Sequence, residues 1–197
     1  MQNKILDIEP KIYLDENGIT IKCTPNCYVG FKGIVNGIEY EVVDRELLEE
    51  RIVQNSELSN LCVSLIEDMS SLFINSDFNK PINNWDVSNV INMSSMFANS
   101  KFNQPINNWD VSNVKNMSEM FNCSIFNQPI NNWDISNTTL FFAMFQNGEF
   151  NQPLDDWNVS KAELMAFMFR GSKYNQPLDN WNVSNVRYMS SMFEKSV

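Results

Sequence analysis

The sequence predicts an α/β repeat solenoid of the leucine-rich-repeat type, in which each unit has a short strand and a short helix or helical turn. Five tryptophans recur at a fixed interval of 24 residues, and each stands in nearly the same phrase, FNQPINNWDVSNV followed by M-x-x-MF: Trp85, Trp109, Trp133, Trp157 and Trp181. A strict period of this length indicates stacked supersecondary units. The first 60 residues do not follow the period, so we expect them to form a small α+β cap.

Residues 1–60 predict two hairpins and a helix. Asn17-Gly18 and Asn36-Gly37 each lie between β-prone runs, which is the usual signal of a two-residue hairpin turn. Asp44 precedes RELLEERIVQN and predicts the N-cap of a helix, because its carboxylate can accept the first free backbone N–H groups. Such a cap would cover the apolar side that the first repeat otherwise exposes.

Residues 61–197 predict five full repeats and a partial sixth. Ile82, Trp85 and Val87 have the spacing of a leucine-rich repeat, where alternate side chains of a short strand point inward. The apolar positions that follow suit a short helix or helical turn on the opposite wall: Val90, Met93, Met96 and Phe97. The predicted boundaries are 61–84, 85–108, 109–132, 133–156, 157–180 and 181–197.

The residues that recur most strictly predict packing and turn hydrogen bonds. The tryptophans and the Met-Phe pairs fall at inward positions, so we interpret them as core ladders and not as a sugar-binding platform. The asparagine column predicts hydrogen bonds to the backbone of its own or the next repeat: Asn79, Asn103, Asn127, Asn151 and Asn175. The serine that follows each strand predicts a turn cap, since no general base accompanies it.

Composition excludes several functions. The chain of 197 residues has 24 acidic and 14 basic residues and a net charge of −10, which argues against nucleic acid and anionic membranes as partners. It has no histidine, the commonest metal ligand and general base, and only six glycines. We therefore predict a protein that is not an enzyme, with no catalytic residues, cofactor or metal. The sequence has no stretch suited to membrane insertion and no apolar signal segment at its start.

The four cysteines give a weak signal. Cys23 and Cys27 flank TPN in a loop, where they could close a small disulfide or remain free thiols. A lone C-x3-C without further ligands is a weak indication of a metal site. The repeat register places Cys62 and Cys123 two repeats apart, so we predict that they do not pair.

One outward column of the predicted strand face is the candidate partner surface. Asp86, Asp110 and Asp134 are continued by Asn158 and Asn182. Carboxylates one repeat apart repel, so this column stays solvated, contacts a protein or glycan, or gathers a cation such as calcium, an option that the two asparagines weaken. With the adjoining serines, the candidate face comprises Asp86, Ser88, Asp110, Ser112, Asp134, Ser136, Asn158 and Asn182.

The repeated phrase resembles a known family. The pattern W-D/N-V-S-N-V-x-N-M-S-x-M-F, followed by F-N-Q-P-I/L, runs from about residue 61 to the end and resembles the BspA-like leucine-rich repeat surface proteins of bacteria. The segment from GITIKC to DRELLEERI resembles the one that commonly precedes such arrays. The resemblance implies a non-enzymatic surface or secreted protein that mediates adhesion, and it carries over no catalytic or ligand residues. TTLFFAMF and KAELMAFMF depart from the pattern but keep Phe141 and Met165 at the inward site.

We therefore expect a binding protein that contacts a protein or glycan partner through the strand face of a solenoid. The alternative is an intracellular or self-assembling scaffold. The sixth repeat reaches Ser196-Val197 without a polar cap, which predicts an apolar end open to homo-oligomer contacts. Without a visible signal peptide, a cytoplasmic location is the alternative to the cell surface.

Overall fold

The computed structural model describes residues 9–196, so the parts of the predicted cap and sixth repeat at 1–8 and at Val197 lie outside it. The chain divides into two compact units. Unit 1 comprises Met1–Leu65 with Asn84–Asp86, and unit 2 comprises Ile66–Asn83 with Val87–Val197.

Two hairpins form most of unit 1, as predicted. Strand β1 (Ile12–Leu14) pairs antiparallel with β2 (Ile21–Cys23), and Asn17 Oδ1 closes the connection by accepting the N–H groups of Ile19 and Thr20 at 2.9 Å. Strand β3 (Lys32–Val35) pairs antiparallel with β4 (Ile38–Val42). Asn36 and Gly37 both have positive φ, 51° and 81°, which matches the right-handed twist of the flanking strands. Both predicted hairpins are confirmed, with a two-residue turn at Asn36-Gly37, whereas six residues, 15–20, connect β1 to β2.

A helix and a short parallel strand complete unit 1. Helix α1 (Arg45–Val53) begins after Asp44, whose Oδ1 accepts the Leu47 N–H at 2.9 Å, so the predicted N-cap is confirmed. A 3-10 turn at Leu58–Asn60 leads into β5 (Leu61–Cys62), which pairs parallel with β4. The core of this unit lies between the two sheets: Ile12, Ile21, Cys27, Tyr40, Val42 and Cys62.

The predicted α/β solenoid, with a strand and a helix in every repeat, is wrong. Across residues 9–196 the structure has one α-helix and two small sheets, all within unit 1, and the described part of unit 2 consists of turns, loops and isolated bridges. At the predicted strand, Trp109 N–H and Val114 N–H donate to Ile106 O and Val111 O, each three residues back, at 3.1 and 2.9 Å. These are tight turns and not an extended chain.

Left-handed backbone explains why the predicted helix is also absent. Ser95 and Asn99 have φ of 56° and 52°, and the equivalent positions of the neighbouring repeats also have positive φ. A residue in this region interrupts a right-handed helix, and two of them four residues apart leave no room for one between. The apolar spacing that indicated a helix is therefore produced by a series of turns.

Hydrogen bonds at a fixed sequence offset join the turns of unit 2. The N–H groups of Met93, Ser95, Phe97 and Asn99 donate to carbonyls 23 residues later, at 2.7–2.9 Å. The same pattern starts again at Met117 and at Phe141. Most of the backbone bonding between repeats therefore lies on the segment predicted to be a helix, while the predicted strand segment uses side chains.

The core columns of unit 2 are confirmed for the repeats before residue 181, whereas in the sixth repeat Trp181 is half-buried and Phe193 is 48% exposed. Phe121 lies parallel to Phe97 and Phe145, with ring centroids 5.8 Å apart in both pairs. Trp109 and Trp133 are both 3% exposed, and their indole N–H groups donate to Ile82 O and Ile106 O at 3.2 and 3.1 Å. The rings are thus buried and hydrogen-bonded, so they offer no exposed face on which a sugar could stack.

Candidate partner-binding surface

The structure divides the eight predicted face residues. Asp86 belongs to unit 1, and the other seven belong to unit 2. The expectation that Asp86 points outward is wrong, because it is only 5% exposed and accepts the Ser64 hydroxyl at 2.6 Å. Burying a carboxylate is costly unless it is paired or hydrogen-bonded, and Ser64 supplies such a bond. Asp86 is therefore a structural residue and not part of a free face.

Four of the other predicted residues form an exposed column with one shared geometry. Their side-chain oxygens each accept the backbone N–H two residues later at 3.0–3.2 Å, which defines an Asx turn. We call these residues the Asx column: Asp110, Asp134, Asn158 and Asn182. In each of these turns the serine backbone N–H donates to the Asp or Asn side chain. Asn replaces Asp without loss because both offer the same acceptor.

Two of the four residues of the Asx column, Asp110 and Asp134, have ionisable side chains. Hydrogen bonds from the side chain and backbone of Ser136, with a smaller contribution from the Lys161 charge, lower the pKa of Asp134 from its ordinary value. Asp134 is therefore ionised at neutral pH. Asn158 and Asn182 present the same shape without charge. The three predicted serines of unit 2, Ser88, Ser112 and Ser136, are half-buried beside this surface.

The asparagine column has the structural role that the sequence predicted. Asn79 Oδ1 accepts the N–H of Asn103 at 2.9 Å and Nε2 of Gln104 at 3.0 Å. The same pair of bonds recurs at Asn103, Asn127 and Asn151. These amides join one repeat to the next, so they are already engaged and do not make a free binding site.

A second exposed feature was not predicted. Phe142 and Phe167 form an edge-to-face pair with ring centroids 5.6 Å apart, and the Arg170 guanidinium lies 5.4 Å from the Phe167 centroid. Both rings are half-buried. Phe142 stands at the repeat position of Ser94, and Phe167 stands at the repeat position of Glu119. Phe167 has a φ of 61°, which is unusual for a bulky residue. The signal was available in TTLFFAMF and KAELMAFMF, where Phe142 and Phe167 depart from the repeated pattern.

The described residues show no sign of a metal centre or of a membrane span. No group of three or more Cys, Asp or Glu residues between 9 and 196 is arranged to hold a metal ion. Within the same range, no helix has the length and apolar character needed to cross a bilayer.

These observations define a class of protein in which 24-residue repeats, built of turns, are joined by backbone, Trp and Asn hydrogen bonds. The family model described as "Mycoplasma protein of unknown function, DUF285" matches residues 45–149 and 142–197, and the chain belongs to this family. The match covers α1 and the whole repeat region. Searches of curated proteins and of solved structures found no match.

Proposed function

We propose that the protein is a non-enzymatic binding protein of the BspA-like surface type, which attaches to a protein or glycan partner through the Asx column. The observation that carries this proposal is the exposure of four polar side chains, one per repeat, each held by its own turn. A side chain that is already ordered loses little conformational entropy on binding. An exposed and preorganised row of acceptors is therefore a suitable contact surface.

Charge makes one half of the Asx column the stronger candidate. Asp110 and Asp134 carry carboxylates, each of which accepts a backbone N–H through one oxygen and has capacity for further hydrogen bonds. The second oxygen can accept from a cationic or hydroxyl-bearing partner. Carboxylates aligned in this way favour a basic protein surface, because complementary charge steers association and penalises acidic partners. A glycan with hydroxyl donors is the other partner chemistry that these oxygens fit.

The test separates charge from turn geometry. The double variant D110N/D134N removes both charges and keeps both Asx acceptors, as the chain itself does at Asn158 and Asn182. Wild type and variant would be compared on a panel of matrix proteins and immobilised glycans, with thermal unfolding measured in parallel. We expect weaker binding with unchanged stability. Equal binding of both proteins to every member of the panel that wild type recognises would reject this surface.

A matched control addresses the alternative surface. Phe142→Ser and Phe167→Ser, which restore the residue type of other repeats, remove the aromatic pair and leave the Asx column intact. If these variants lose binding while D110N/D134N keeps it, the partner site is the aromatic cluster and the proposed face is wrong.

Location is a separate part of the proposal. Brief protease treatment of intact source cells, followed by detection of peptides from residues 85–197, tests for a surface protein. Release from unbroken cells supports the adhesion role. Release only after lysis would favour the alternative, an intracellular scaffold.

A further inference from the structure

Three cysteines of unit 1 lie in one cluster. Cys27 and Cys62 belong to the buried core of the unit, and the half-buried Cys23 packs against it. Cys62 is fully buried. All three are free thiols in the structure. The proposed function makes no use of them.

The Ser64 hydroxyl holds two of these cysteines together. Its oxygen accepts the backbone N–H of Cys23 at 3.3 Å and lies 3.5 Å from Cys62 Sγ. Ser64 donates in turn to Asp86 at 2.6 Å, which fixes the hydroxyl in place. Cys62 Sγ is also 3.9 Å from the carbonyl oxygen of Ile21, two residues before Cys23. Strands β2 and β5 thus bring Cys23 and Cys62 to one small region.

The two thiols also affect each other's ionisation. Interaction with Cys62, followed by burial and smaller contributions from Cys27, raises the pKa of Cys23, and interaction with Cys23 lowers the pKa of Cys62. Because both cysteines lie beside Ser64, on strands β2 and β5 of one core, a small movement of the backbone can bring their sulfurs together.

Cys27 is the less suitable partner. Its thiol donates to Lys11 O at 3.5 Å and lies 3.6 Å from Thr24 Oγ1, and its contribution to raising the pKa of Cys23 is smaller than that of Cys62. A bridge between Cys23 and Cys27 would also close a loop of only three residues, Thr24 to Asn26. Cys62 has no such short connection to Cys23.

We propose that Cys23 and Cys62 form a thiol–disulfide site that is oxidised by low-molecular-weight disulfides. In the first step Cys23, the more accessible of the two, gives up its S–H proton and its sulfur attacks the external disulfide to form a mixed disulfide, and the departing thiolate takes up that proton. Cys62 thiolate then attacks the Cys23 sulfur, breaks the mixed disulfide and releases the second small thiol, which takes up the Cys62 proton. Two protein thiols are oxidised and one external disulfide is reduced to two thiols.

The product would join β2 to β5 covalently. The bond spans residues 23 to 62, which include both β3-β4 pairing and α1, so it restricts the unfolded form of most of unit 1. Unit 1 would then be more stable in an oxidising environment than in a reducing one.

The experiment treats the intact, reduced protein with glutathione disulfide under native conditions. We expect loss of two hydrogens in the intact mass. A non-reducing tryptic map should show peptide 23–32 joined to peptide 52–101, and fragment sequencing should place the bond at Cys23. C27S is the matched control and should keep the link, while C23S and C62A should lose it. The oxidised wild type and oxidised C27S should both unfold roughly 5 °C or more above their reduced forms.

Three results would overturn the proposal. A bridge confined to peptide 23–32 would assign the pair to Cys23 and Cys27. A glutathione adduct that persists on Cys23 would show that Cys62 does not reach it. Oxidation of the urea-unfolded chain but not of the native protein would show that the fold keeps the sulfurs apart. The wild-type map decides each of these, so a variant that fails to fold does not leave the question open.

Discussion

Repeats 85–132 and repeats 133–180 share their core columns and differ on several outward columns, one of which contains Asn92. In the first pair, Asn92 and Asn116 accept the N–H groups of Ser94 and Ser118 at 3.1 and 2.9 Å. In the second pair the equivalent residues are Leu140 and Leu164, which have no side-chain acceptor. The isolated bridges nevertheless continue through Asn116, Leu140 and Leu164 in one series. The backbone course is therefore set by bonds between repeats, and the Asx turn at this column is dispensable.

The largest expected effect comes from two adjacent residues in the repeat 133–156. Phe141 is fully buried, whereas its neighbour Phe142 is half-buried on the outward side. Phe141→Ala should lower the free energy of unfolding by about 3–5 kcal/mol, since it removes a buried ring and leaves a cavity. Phe142→Ala should cost roughly 1 kcal/mol, because it loses mainly one aromatic pair. Urea unfolding of both variants measures the difference, and similar losses would show that the outward aromatic pair is part of the core.

A hydroxyl in the core of repeat 157–180 gives a second contrast. Tyr174 takes the place of Phe102, Phe126 and Phe150, is 2% exposed, and its OH has no hydrogen-bond partner among the described residues. Burial, with a contribution from Asp155, raises the pKa of this phenol. Tyr174→Phe should raise the free energy of unfolding by about 1–2 kcal/mol, since it removes an unsatisfied buried group. Phe150→Tyr is the reverse control, and it should be destabilising.

The residue type found at Leu140 and Leu164 can be introduced at Asn116, the equivalent position of the preceding repeat. Asn116→Leu removes the acceptor for Ser118 N–H and should cost about 1 kcal/mol, while Asn116→Asp keeps the acceptor and should be close to neutral. Chemical unfolding distinguishes these outcomes. A loss with the aspartate variant equal to that with leucine would show that the turn hydrogen bond does not stabilise the repeat.

Two alanines at adjacent repeat positions test the left-handed backbone conformation. Ala143 has a φ of 52°, whereas Ala166, at the preceding position of the next repeat, does not have positive φ. Ala143→Gly should stabilise by roughly 0.5 kcal/mol or more, because glycine adopts this region without steric cost. Ala166→Gly should destabilise by about 0.5–1 kcal/mol through backbone entropy. If both glycine variants raised the melting temperature, or both lowered it, the assigned backbone conformations would be contradicted.

The smallest expected effect is the pH dependence of Asp134. Its pKa in the folded protein is lowered by Ser136 and, less, by Lys161, so the folded state favours the ionised form. The associated stabilisation is present above the unfolded pKa and is lost as the pH falls through the folded pKa. Because the group is mostly exposed, the slope should be shallow. The stability of D134N should depend less on pH between about 5 and 3 than that of wild type, as measured by urea unfolding.

Features that a few adjacent residues determine could be predicted from the sequence, whereas the backbone conformation between them could not. The Asn17-Gly18 and Asn36-Gly37 turns and the Asp44 cap were predicted correctly because a few adjacent residues determine them. The inward columns were also predicted, since burial follows the period directly. Strand and helix were assigned wrongly because apolar spacing does not report the sign of φ at Ser95 and Asn99. Asparagine at position 99 is a signal for left-handed backbone that the apolar spacing does not include.

The wrong placement of Asp86 has a different physical cause. Its repeat register is the same as that of Asp110, so the sequence pattern treats the two residues alike. Asp86, however, packs within unit 1, where Ser64 donates to its carboxylate. The exposure of a repeat position depends on what covers it, and a contact between residues 22 positions apart is not visible in the period. The aromatic cluster was missed because the outward columns were compared only for charge.

The fixed offset of the hydrogen bonds determines how this chain can change in length. If residues 109–132 were deleted, Met93 would donate to Leu140 in place of Asn116, and Phe97 would meet Phe145 in place of Phe121. Every lost neighbour is replaced by an equivalent one. Removing a single residue instead would change the offset for every donor whose acceptor lies beyond the deletion, which is one whole set of bonds between two repeats. Whole 24-residue modules can therefore be added or removed while the pairing of donors and acceptors is kept, whereas insertions or deletions of other lengths disrupt it.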